Sequence, residues 1–110
     1  MNAATYTDHS VLAIVLDEPN HIESKSGTKG IELALHPMTG SAQPPKVVWL
    51  SEKDDRAKAR SAKLAKQVEA LEPGQRVMAR WTVREQEGIV NGKVVRQVGT
   101  FLDGVFPFPA

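Results

Sequence analysis

Apolar positions in this chain come in short runs broken by polar, glycine- and proline-punctuated stretches, and only one stretch has helical spacing. Val11 to Leu16 is apolar at all six positions, which predicts a strand covered on both faces. Pro19 and Asn20 end that run, and the small polar residues 1 to 9 before it predict a flexible lead-in. A polar connection from Glu23 to Gly30 leads into Ile31-Glu32-Leu33-Ala34-Leu35, where alternation is partly legible, so the pair predicts a hairpin with a basic, flexible tip. Met38 to Pro45 is a second loop, and Lys46-Val47-Val48-Trp49-Leu50 is a third short strand. Alternation sends Val48 and Leu50 to the core and leaves Trp49 outside.

The helical stretch opens at Ser51, which has with Asp54 the serine-x-x-acid spacing of a capping box. Good helix formers follow from Asp55 to Leu71, with Ala57, Leu64, Val68 and Leu71 on one face and the small Ser61 and Ala65 in the same narrow stripe. Pro73-Gly74 stops it. So thin a stripe predicts a helix lying against one end of a sheet or barrel, with its other faces, made basic by Lys53, Arg56, Lys58, Arg60, Lys63 and Lys66, left in water.

Beyond the helix, Arg76 to Arg84 has a two-residue period. Val77, Ala79, Trp81 and Val83 line one side of the predicted strand, and Arg76, Arg80 and Arg84 line the other. The rungs of this arginine ladder lie four residues apart, roughly 14 Å on a strand, so each can meet a different phosphate of an extended polynucleotide. Asn91-Gly92 accommodates the positive φ angles of a type I′ turn, joining Gln75 to Val90 and Lys93 to Phe106 into a long, protruding hairpin. Gly88, Gly99 and Gly104 give that hairpin places to coil or bulge.

The net charge of +1 hides an asymmetry. Residues 1 to 52 hold three basic against six acidic groups, and residues 53 to 110 hold eleven against seven, so the positive excess is C-terminal and suits a polyanion-binding face. The 110 residues fit one domain, and the absence of cysteine removes disulfide frameworks, thiolate zinc sites and cysteine nucleophiles. No apolar run approaches the ~20 residues that span a bilayer, and no signal-peptide pattern opens the chain, so the expectation is a cytoplasmic protein without a membrane partner. His9, His21 and His36 have no metal-site or triad spacing, and Gly27-x-x-Gly30 lacks the phosphate-loop signature. A non-enzymatic protein with no cofactor and no metal is expected.

The predicted order is strand, strand, strand, helix, strand, strand. That is the order of the oligonucleotide/oligosaccharide-binding (OB) fold, an all-β, five-stranded barrel with one α-helix between strands three and four. It occupies residues 10 to 106 here, with 107 to 110 as a short tail. Two passages carry a resemblance: Lys25-Ser26-Gly27-Thr28-Lys29-Gly30 leading into Ile31 to Leu35, and Leu71-Glu72-Pro73-Gly74-Gln75-Arg76-Val77 running into a long hairpin. Over roughly residues 11 to 105 the chain resembles the single-stranded-DNA-binding proteins of bacteria and phages. The resemblance implies DNA as the favoured polymer, a role in DNA replication, and a homo-oligomer, dimer or tetramer. Bacterial members carry a glycine-rich extension with an acidic tip, whereas this sequence ends at Phe108-Pro109-Ala110, which points to a short phage, plasmid or mobile-element type.

The expected function is largely sequence-independent binding of single-stranded nucleic acid. Arg76, Arg80 and Arg84 contact phosphates; Lys25, Lys29, Lys46, Lys93 and Arg96 complete a basic track; Trp49 stacks on a base while Trp81 stays in the core. The alternative is a protein-interaction OB barrel, a subunit or inhibitor, that docks through Phe106-Pro107-Phe108-Pro109.

Overall fold

The computed structural model describes residues 3–40 and 42–108. Strands dominate: β1 (Thr5–Val15), β2 (Asn20–Glu23), β3 (Lys29–Glu32), β4 (Leu35–Pro37) and β5 (Val47–Trp49) precede helix α1 (Asp55–Glu69), and β6 (Arg76–Val90) and β7 (Lys93–Pro107) follow it. All pairings are antiparallel, in one sheet ordered β4-β1-β6-β7 and another ordered β2-β3-β5. Only Leu33 and Ala34 separate β3 from β4, so one stretch of chain links the sheets, and the larger one curls into a half-barrel consistent with an all-β barrel. Both β5 and β7 are bonded to a neighbour on one side only, and a cavity opens between them.

The core lies on the inner faces of this curl. Alternation on β1 and β6 brings Val11 opposite Ala79 and Ala13 opposite Val77, all buried, and the facing sheet contributes Ile31 and Val48. Trp81 is 2% exposed, the largest of the buried side chains, and the His9 ring stacks against it with centroids 5.3 Å apart. From α1, Val68 is buried and Leu64 and Ala65 pack on the core, with Leu71 just beyond the helix, so the narrow stripe does face inward. Leu12 and Ile14, on the outer face of β1, are half-buried, so that strand is fully covered on one face only.

Three expectations need correction. The flexible lead-in is strand from Thr5 onward: Thr5 to Ser10 pair with Glu85 to Arg80 of β6. Their side chains are mostly exposed, so backbone hydrogen bonds hold them and no hydrophobic pattern announces them. The helix is capped by Asp54, whose carboxylate accepts from the Ala57 amide at 2.8 Å; Ser51 lies outside it, its backbone N–H donating to the Ser61 hydroxyl, which in turn donates to the Ser51 carbonyl. A carboxylate at the positive helix end outcompetes a hydroxyl placed three residues earlier. The expected tail begins within the sheet: β7 runs past Phe106 to Pro107, which pairs with Val77, and the Phe108 amide beyond it donates to the Arg76 carbonyl at 2.9 Å. Proline is tolerated because β7 is an edge strand. Pro109 and Ala110 lie outside the described residues.

The long hairpin forms as expected, with Asn91 (φ 52°) and Gly92 (φ 77°) in the turn. From Gln86–Gln97 outward no third strand pairs with it among the described residues, so the arm projects and lengthens the molecule to 51 × 32 × 23 Å. Among the described residues no helix is long and apolar enough to cross a membrane.

Candidate functional site

Residues that pair directly across an antiparallel sheet share a face. On the outward face of β6, Arg80 is therefore level with Gly104 of β7 and Arg84 with Gly99, while Phe106 is level with Met78 and Phe101 with Thr82. The result is interleaving: one phenylalanine falls between Arg76 and Arg80, the next between Arg80 and Arg84. Asp103 makes this register possible, because it is the extra residue of a bulge opposite Arg80 and Trp81 that shifts the two phenylalanines onto the same face.

Each ring has a glycine beneath it. A Cβ on Gly104 would lie 2.6 Å from the Phe106 ring, and one on Gly99 would lie 3.1 Å from the Phe101 ring. Trp49 repeats the device across strands: its partner is Gly30, where a Cβ would lie 2.7 Å from the indole. Trp49, Phe101 and Phe106 are 49%, 48% and 42% exposed, as expected for flat rings with one side on the backbone and the other open to water. Such surfaces suit stacking, because the ring is held in place before a ligand arrives.

The ladder arginines stay available. Arg76 and Arg80 are exposed; Arg84 is half-buried and its guanidinium donates to the Gln86 amide oxygen. The ion pairs among the described residues are Arg60–Asp103 at 3.3 Å, Arg96–Glu85 and His21–Glu69 at 3.5 Å, and none engages the ladder. The face is not uniformly positive, however. Asp8 of β1 and Asp103 border the same depression as Arg80, and the Thr82 hydroxyl lies 2.9 Å from one carboxylate and 2.6 Å from the other. Arg76 and Arg84 are thus the rungs better placed to attract anions.

The other basic candidates are dispersed. Lys93 shares the ladder's face at the arm tip, but Arg96 lies on the opposite face with Glu85. Lys25 sits in the β2–β3 turn, Lys29 pairs with Glu23 on β3, and Lys46 precedes β5, all exposed and all on the smaller sheet with Trp49. Trp49 does meet the ladder sheet in one place, since it and Phe101 both border the cavity of about 640 Å³ between β5 and β7.

The candidate list omitted Phe101 and Phe106. Their signal was in the sequence as Gly99-Thr100-Phe101 and Gly104-Val105-Phe106, a repeated glycine-x-phenylalanine that puts ring and glycine on one strand face. The Gly30–Trp49 match depends on cross-strand register and left no such trace. Among the described residues no group of three or more metal-ligating side chains is placed to hold an ion. The chain matches no family model, no curated protein and no solved structure.

Proposed function

We propose that the chain binds single-stranded nucleic acid without strong sequence preference, on an OB-type barrel whose helix fills the connection between the third and fourth barrel strands. The observation that carries this reading is the outward face of β6 and β7, where guanidinium groups alternate with phenylalanine rings laid on glycines. Extended single strands present that same alternation of phosphate charge and unpaired base, and duplexes hide the bases. DNA is taken as the favoured polymer, in a cytoplasmic, non-enzymatic role in replication.

Titration with oligo-dT, oligo-U and duplex at several salt concentrations tests the reading. The logarithm of affinity for oligo-dT should fall against the logarithm of salt with a slope of about −0.7 per phosphate contacted. Arg76→Ala with Arg84→Ala should lower affinity and flatten that slope by about 1.4. Absence of binding at low salt removes the proposal.

A second reading, the interaction barrel, draws on the arm. Ile89, Val94 and Val98 are 77%, 70% and 59% exposed on one side of a ribbon that has no third strand among the described residues. A two-stranded ribbon is marginal by itself, so a second copy covering this side is the occupant proposed.

A further inference from the structure

We propose that the open seam between β5 and β7 is a slot for one unpaired nucleobase, stacked against Trp49 and Phe101, with Arg56 of α1 holding the adjoining phosphate. The inference rests on the single-strand reading and adds to it a place where the polymer leaves the ladder face and enters the barrel wall.

The walls are aromatic and fixed. Trp49 on β5 and Phe101 on β7 border the cavity from its two edge strands, and each ring is backed by glycine, so neither has a side chain of its own sheet beneath it to be displaced. Behind them Val48, Leu64 and Leu102 give an apolar floor. The volume, about 640 Å³, falls in the range of roughly 300–1,000 Å³ usual for small-molecule sites. Two guanidinium groups stand on the helix side. Arg60 is held by Asp103 at 3.3 Å, whereas Arg56 is exposed and enters none of the ion pairs formed among the described residues.

Several polar side chains around the slot are already engaged. The Ser61 hydroxyl accepts from the Ser51 amide at 2.9 Å and donates to the Ser51 carbonyl at 3.0 Å, the Ser51 hydroxyl accepts from the Lys53 amide at 3.4 Å, and Asp54 caps the helix. Among the neutral lining side chains only the hydroxyls of Ser51 and Thr100 remain to touch the edge of a base, and a hydroxyl both donates and accepts, so the slot takes any base by its π-face. It requires only that the base be unpaired. The path onward is short, because Phe101 is level with Thr82, between Arg80 and Arg84 on the ladder face.

Trp49 is the reporter: the other tryptophan, Trp81, is 2% exposed. In a titration with oligo-dT at low salt, tryptophan fluorescence should be quenched, and the matching duplex should leave it unchanged. Phe101→Ala should weaken oligo-dT binding about fivefold or more, the lower end of what one stacked base contributes, and Arg56→Ala should weaken it and flatten the salt slope by about 0.7. Both residues are exposed, and far-UV circular dichroism verifies that the variants keep their fold. If the wild type binds oligo-dT with the expected salt dependence but Trp49 is not quenched and both variants bind like wild type, the slot is overturned while the single-strand reading stands. If no oligonucleotide binds, both fall.

Discussion

Glycines beneath aromatic rings set how much ring surface this protein offers to solvent. At Gly30 even a methyl group would lie 2.7 Å from the Trp49 indole, so Gly30→Ala must lift the ring from its bed. The expected outcome is a shifted tryptophan emission and a loss of oligo-dT affinity of roughly fivefold, about 1 kcal/mol of stacking. Normal emission together with normal affinity would show that the bed does not matter. Charge at single positions would act in the opposite sense at Asp8, which borders the same depression as Arg80 and would repel a phosphate brought there. Asp8→Asn should raise affinity about twofold at low salt and by less at high salt, since exposed charges are screened over about 10 Å at 0.1 M. Equal affinities at low salt would place the polymer away from Arg80.

Helix α1 and the β6–β7 arm make separable contributions. The helix starts where Asp54 accepts from Ala57 at 2.8 Å, and Asp54→Ala should cost about 1 kcal/mol in urea unfolding, with Ser51→Ala costing less if the cap alone matters. A larger loss for Ser61→Ala than for Asp54→Ala would mean that the Ser61 hydroxyl, bonded to the Ser51 amide and carbonyl, anchors the loop before the helix more than the cap does. In the arm, Ile89→Ser with Val94→Ser should leave thermal stability nearly unchanged, because both side chains are exposed, and should convert an oligomer to a smaller species by light scattering. An unaltered mass, or a monomer in both forms, removes the arm as the self-association surface.

Taken as a whole, the molecule is a curled four-stranded sheet facing a three-stranded one, with β5 and β7 left unpaired to each other among the described residues. The edge of β7 is covered near the helix, where the Val105 amide donates to the Gln67 side chain at 3.1 Å, and is left open farther along, at Thr100 to Leu102. That open stretch brings Trp49, in a sheet the ladder does not reach, within the same cavity as Phe101. The nine basic and aromatic candidates read from the sequence therefore divide. Arg76, Arg80, Arg84 and Lys93 share one face; Trp49, Lys25, Lys29 and Lys46 belong to the smaller sheet; Arg96 points away, tied to Glu85.

Features that depend on near neighbours were legible in the chain before any fold was known. A period of two assigned Val77, Ala79 and Trp81 to the core and the arginines to the outside; Asn91-Gly92 specified the turn; the spacing of Leu64 and Val68 specified the helix face. Each follows from the positions of side chains within a few residues. Long-range pairing alone decided that Thr5 to Ser10 would be strand, that Pro107 would extend β7, and that the Asp103 bulge would set phenylalanines between arginines. It also decided that Gly30 would lie under Trp49 and that β5 and β7 would remain apart. These outcomes come from backbone hydrogen bonds between segments distant in sequence. A backbone amide carries no side-chain signature, so the composition of a strand does not announce its partner or its register.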